Sequence, residues 1–153
     1  MTGRNAQAKR QKALIDRDPD AQAEGFATVR LAHENEIAED YVELIAELIE
    51  TRGEARPVDI AERLGVKPPT VTKNIGRLRK AGFVRREPYR SVFLTDAGQA
   101  LADACRRRHR LVVAFLIGIG IDEETAERDA EGIEHHVSDR TLAAFDRFLK
   151  DGT

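Results

Sequence analysis

Asp40 and Glu43 stand three residues apart, so on a helix both carboxylates project from one face. Glu131, Glu134 and His135 stand at i, i+3 and i+4, and a helix through them also puts all three on one face. His109 lies within the basic run Arg106-Arg107-Arg108-His109-Arg110. Carboxylates and imidazoles at such spacings are the donors of a divalent-cation chelate, and Glu-x-x-His elements build carboxylate metal sites in helical bundles. Each also has an ordinary reading: Asp40-x-x-Glu43 as a surface pair, His109 as a solvated histidine in a basic run. Glu131-x-x-Glu134-His135 is the most telling of the three. Cys105 is the only cysteine, which excludes an internal disulfide and a cysteine-based zinc site. It reads as a small buried thiol on a helix.

These side chains need helices to carry them. Over 26–50 the apolar residues Ile37, Tyr41, Leu44, Ile45, Leu48 and Ile49 recur every three or four positions, which predicts a long amphipathic helix ended at Arg52-Gly53. Pro57 opens a short second helix that buries Ile60, Ala61 and Leu64, and Gly65 closes it. A third helix, 68–80, buries Val71, Ile75 and Leu78 before Ala81-Gly82 stops it. Residues 58–82 thus read as helix, glycine turn, helix, the pattern whose second helix enters a DNA major groove. Lys67, Thr70, Lys73 and Arg77 line the other face of that helix, with Pro69 at its start, and form the expected DNA-reading set. Two β-prone runs, 83–86 and 91–94, flank a turn at Pro88-Tyr89-Arg90 and predict a wing, with Arg90 at its tip to reach a phosphate or minor groove. Thr95-Asp96 caps a long helix, 97–117, that carries His109. Asp122 begins another, to about 136, and Ser138 caps a last one with Leu142, Phe145, Phe148 and Leu149 on its apolar side. Residues 1–24 are polar and read as a flexible arm.

Charge is segregated although the net value is only −2. Nine basic residues lie between Arg63 and Arg90, with Glu87 the sole acid. From 31 to 51 there is no Lys or Arg, and that stretch carries Glu34, Glu36, Glu39, Asp40, Glu43, Glu47 and Glu50. The segment 121–136 is also acidic. A basic centre suits phosphate, and acidic flanks suit cations, although charge runs are commonly solvated faces. With 41% hydrophobic and 34% charged residues among 153, the chain has enough for a folded core and a charged surface. It has no run of eighteen apolar residues and no apolar signal core at its start, so the expectation is a cytoplasmic protein with no membrane partner.

Together these segments resemble the manganese transport regulators, a branch of the diphtheria toxin repressor family. The carriers are Asp40-Tyr41-Val42-Glu43, the helix-turn-helix of 58–82, Arg107-Arg108-His109, and Asp129-Ala130-Glu131-Gly132-Ile133-Glu134-His135-His136, the last highly specific to the family. The resemblance spans roughly 26–150. It implies a mainly α fold with a small β-wing: a flexible arm (1–24), a winged helix-turn-helix domain (25–98) and a helical dimerisation and metal-binding domain (99–153). It also implies a site for two metals per subunit, built from Asp40, Glu43, His109, Glu131, Glu134 and His135. Four carboxylates and two imidazoles are mostly hard donors and suit Mn(II), with Fe(II) and Zn(II) as possible substitutes. Iron-responsive relatives are expected to carry Met and Cys where this chain has Asp40 and Glu131. Larger relatives add a third, SH3-like domain, and the resemblance implies no ligand from one here. His33, Cys105 and His136 rank lower as ligands.

The function implied is that of a homodimeric repressor, not an enzyme, acting on palindromic operators of metal-transport genes. The metal is a corepressor that spans the two units and fixes the recognition helices about 34 Å apart. Without it the clustered carboxylates repel one another. Both imidazoles must be neutral to ligate, and the free value of about 6.5 places the loss of metal below roughly pH 6. Two rivals stand beside this reading. A metallohydrolase would need an open substrate cleft. A winged-helix regulator answering Fe(II) or a small organic ligand is the other; in its organic-ligand form it would bind DNA regardless of chelators.

Overall fold

The computed structural model describes residues 2–15, 17–86 and 91–152. In chain order these form α1 (Thr2–Ile15), α2 (Pro19–Arg52), α3 (Pro57–Leu64), α4 (Pro68–Lys80), β1 (Val84–Arg86), β2 (Val92–Leu94), α5 (Asp96–Gly118), α6 (Glu123–Ile133) and α7 (Asp139–Asp151). The expected mainly helical chain with a small two-stranded wing is what forms.

The first departure lies at the N-terminus. The segment read as a flexible arm is helical over α1, and α2 begins at Pro19 rather than near 26. The Asp18 carboxylate accepts from the Ala21 N–H at 3.1 Å, and Pro19 occupies the first turn, where its missing N–H costs nothing. Polarity alone does not oppose a helix, because Ala, Gln, Glu and Arg are good helix formers. Residues 17–31 are exposed throughout, so this part of α2 has no packed face and stands on propensity and its cap.

The main core forms where α2 meets everything after it. Tyr41, Val42, Ile45 and Leu48 pack with Ile60 of α3, Val71, Ile75 and Leu78 of α4, Val84 and Val92 of the wing, and Ala102 of α5. Burying each large aliphatic side chain contributes about 1.5–3 kcal/mol. Gly65 makes the turn between α3 and α4 at φ 66°, a left-handed conformation that favours glycine. The two strands pair antiparallel, Val84 with Leu94 and Arg86 with Val92, and Val92 also bridges to Ala55. Arg90, the expected wing tip, lies outside the described residues. At the start of α5 Gly98 touches the chain leaving α4: a Cβ there would sit 2.0 Å from the Phe83 carbonyl oxygen, so only glycine fits.

α5 is the spine of the second half, in contact with α2, α6 and α7. Val112, Ala130 and Leu142 form a smaller core with Phe145 against it, and the Phe115 and Phe145 rings stack at 3.8 Å. The second departure is at the end of α6. The helix stops at Ile133 instead of near 136: Glu134 still donates its N–H to the Ala130 carbonyl, but His135 and His136 lie in the turn toward the Ser138 cap of α7. The chain must reverse there for α7 to return onto α5. Among the described residues no helix is long and apolar enough to cross a membrane.

Candidate metal centre

The middle of α2 faces α5 and the turn after α6, and three kinds of charge meet there. The His135 side chain is 1% exposed. Its Nδ1 lies 2.7 Å from Glu39 Oε2, and Glu39 also accepts from Arg108 Nη2. The Arg108 guanidinium thus holds the Glu39 carboxylate, which accepts from the His135 Nδ1–H and leaves Nε2 as the nitrogen free to coordinate once deprotonated. That Nε2 is 3.1 Å from Asp40 Oδ1 and 3.3 Å from Glu134 Oε1. Neither approach meets hydrogen-bond geometry, so Nε2 and Glu134 Oε1 are buried with ionic contacts but no hydrogen-bond partner among the described residues. Buried polar atoms without hydrogen bonds are costly unless a ligand that both can reach satisfies them.

A second cluster adjoins the first. Glu134 Oε2 is 2.8 Å from His109 Nδ1, and Glu131 Oε1 is 3.8 Å from the same nitrogen. His109 Nε2 meets Glu127 Oε2 at 2.7 Å. Ligand atoms of His109, Glu131 and Glu134 lie within 4.8 Å of one another, as do those of Glu36, Asp40 and His135. Glu134 turns one oxygen to each cluster and joins them. Glu43 lies beside both, lining an open pocket with Asp40, Glu47, Arg63 and Glu131.

Carboxylates and imidazoles packed this closely shift one another's titration. Burial pushes Glu134 up to about 7, against the pull of His109. Burial also raises Glu43, and the Glu131 charge adds to it. Burial alone would lower His135, but the Asp40 and Glu39 carboxylates on its two nitrogens outweigh it and lift it to about 10. His109 is raised in the same way, burial being outweighed by Glu127, Glu134 and Glu131. Glu39 is lowered, because His135 and Arg108 overcome the effect of burial. Cys105, fully buried and pushed up to about 12 by burial, is an inert thiol that touches Arg108.

The structure brings all six sequence-predicted candidates to one place, with two adjustments. Glu131 and Glu134 share a face of the chain and converge on His109, but at different depths, the Glu131 side chain being 66% exposed and that of Glu134 fully buried. His135, past the end of α6, swings to the α2 side. Sequence reasoning missed Glu36, Glu39, Arg108 and Glu127. Glu39 sits next to Asp40 and was legible only as one of many acids, since its role depends on Arg108, 69 residues away. His136 stands outside the buried cluster, 3.2 Å from Glu36.

On α4 the expected DNA-reading residues Lys67, Pro69, Thr70, Lys73 and Arg77 are all exposed, opposite buried Val71, Ile75 and Leu78. Asn74 instead turns inward and donates to the Tyr41 hydroxyl at 3.1 Å, which ties α4 to α2 at the residue next to Asp40.

Two family models divide the chain. "Iron dependent repressor, N-terminal DNA binding domain" matches residues 35–92, and "Iron dependent repressor, metal binding and dimerisation domain" matches 95–153. The transcriptional regulator MntR of Salmonella typhimurium is 54% identical over 127 residues, 83% of this chain and 81% of that protein. The MntR of Escherichia coli is 50% identical over 143 residues, 94% and 91% of the two chains. This chain belongs to the manganese transport regulators of the diphtheria toxin repressor family. As such it is a metal-responsive, DNA-binding transcriptional repressor with a dimerisation domain, in a family of regulators rather than enzymes. Among solved structures, one described as a manganese-dependent transcriptional repressor complex with manganese superposes with a TM-score of 0.67 at 36% identity. It covers 74% of this regulator, which spans about half (52%) of that longer chain. The donor set fits a divalent metal on structural grounds alone, because His135 Nε2 and Glu134 Oε1 are buried, without hydrogen bonds and set among carboxylates.

Proposed function

We propose that this regulator responds to Mn(II), holding two ions per subunit with Asp40, Glu43, His109, Glu131, Glu134 and His135. The observation that carries the reading is the pair of buried atoms without hydrogen bonds, His135 Nε2 and Glu134 Oε1, where two clusters meet that Glu134 joins. The ion supplies concentrated positive charge and oxygen- and nitrogen-directed bonds. Oxygen and nitrogen are the only donors, which favours Mn(II) while leaving Fe(II) and Zn(II) as weaker-fitting substitutes.

Asp40 and Glu43 sit on α2, whose other face forms the core beneath α3 and α4. His109, Glu131, Glu134 and His135 sit on α5, α6 and the turn that follows. Ligands drawn from both sides tie the DNA-binding half to the dimerising half, and so set the spacing of two α4 helices in a homodimer. Exposed Ile117, Ile119 and Leu149 offer an apolar surface for that dimer. Lys67, Pro69, Thr70, Lys73 and Arg77, with Arg90 of the wing, read a palindromic operator upstream of metal-transport genes in the cytoplasm. The domain division at 98/99 belongs to the same proposal.

The test is an anaerobic operator gel shift with the metal-free chain, titrated separately with Mn(II), Fe(II) and Zn(II). Binding that appears with Mn(II) and vanishes with chelator is the expected result. DNA binding indifferent to chelator overturns the reading.

A further inference from the structure

The six-residue set leaves out the acid that lies next to it on α2. Glu36 stands four residues before Asp40, on the same face of the helix. Ligand atoms of Glu36, Asp40 and His135 lie within 4.8 Å of one another. An ion with bonds of about 2.2 Å spaces its ligand atoms about 3.1 Å apart when cis and about 4.4 Å when trans, so three atoms this close suit a single ion. The independent observation is His135: the residue is 6% exposed, and its Nε2 has no hydrogen-bond partner among the described residues while facing this group.

We infer that Glu36 is a further protein ligand, closing the outward side of the site formed by Asp40 and His135. The inference rests on the Mn(II) reading above. Glu36 is suited to the role by its surroundings. Its side chain is 25% exposed, at the rim rather than in the core. His136 Nε2 lies 3.2 Å and His33 Nδ1 3.3 Å from its Oε2, so two imidazoles, one on α2 and one after α6, meet at one carboxylate oxygen. This gives His33 and His136 a positioning part without making them ligands. It also supplies one more hard oxygen, in the direction that favours Mn(II) over softer ions.

The experiment is calorimetric titration of Mn(II) into the metal-free full-length dimer, with free Mn(II) counted by electron paramagnetic resonance. The parent should take two ions per subunit. Glu36→Ala should weaken one of the two binding events by about tenfold or more and leave the other, around His109 and Glu131, unchanged. Glu36→Gln, which keeps the shape and loses the charge, should weaken the same event and guards against a folding defect. His33→Ala with His136→Ala should weaken it severalfold. If the parent binds two ions and both Glu36 variants bind them with parental affinity, Glu36 is not a ligand, although the Mn(II) reading stands. If the parent itself binds no Mn(II), the reading and the inference fall together.

Discussion

A proton and a metal compete for His135 Nε2. With its value lifted to about 10 from an ordinary 6.5, the imidazolium contributes stability to the metal-free chain that is fully present below about pH 6.5 and lost as pH rises through 10. A ligating Nε2 must first give up that proton. Glu134, raised to about 7, adds a second competing proton below neutrality. Manganese affinity should therefore climb by up to about tenfold per pH unit between 7 and 9 and more steeply below 7, well above the window that free imidazole suggests. Calorimetry in buffers of different ionisation enthalpy would count the released protons; an affinity flat from pH 6.5 to 8.5 would remove His135 from the site. Selectivity is set at the same scale. Asp40→Met with Glu131→Cys exchanges two hard oxygens for sulfur, one in each cluster, and should move the operator-binding response from Mn(II) toward Fe(II) or Co(II). Anaerobic titration of each metal reads this directly, and an unchanged order of response would place selectivity in coordination geometry instead.

α4 is the element through which the molecule meets DNA, and its two faces have separate tasks. Val71, Ile75 and Leu78 anchor it in the core, and Asn74 ties it to Tyr41. Lys73 is exposed, and no ion pair among the described residues engages it. Lys73→Ala should weaken operator binding and lower the slope of log affinity against log salt by about one phosphate contact, with manganese uptake unchanged. Gel shifts at several salt concentrations decide it; a parental slope would mean that Lys73 faces solvent in the complex. The same economy of faces explains the early end of α6. A straight helix through His135 would keep it beside Glu131, whereas the turn directs it at Glu39 and Asp40 on α2.

The molecule as a whole is two cores joined across a polar seam. Glu39 and Glu50 of α2 pair with Arg108 and Arg106 of α5, and the metal-ligand candidates share the boundary. An ion bound only by the folded seam stabilises the fold by mass action, about 2.7 kcal/mol at a hundredfold excess over Kd. Thermal unfolding should therefore shift upward by several degrees with saturating Mn(II) and return with chelator. A melting temperature insensitive to both would mean that the candidate ligands do not close around the ion in the native state.

Much of this was written in local pattern. The 3.6-residue apolar spacing, Pro57 and Pro68 at helix starts, Gly65 at the turn and the Asp-x-x-Glu and Glu-x-x-Glu-His spacings depend only on near neighbours; they located the helix-turn-helix and five of the ligand candidates, while His109 and the joining of all six into one site came from the family resemblance. The N-terminal helix escaped because a polar segment can be helical by propensity without an apolar stripe to announce it. What only tertiary structure decided is pairing at a distance. Glu39 differs from its acidic neighbours because Arg108 and His135 converge on it from 69 and 96 residues away. Glu36 gains its place from His136 and Asp40 together, and Glu134 its raised value from being sealed beneath α2. Local spacing sets which residues share a helix, but burial and charge partners come from the packing of helices remote in sequence, and those are what turn a row of acids into a site.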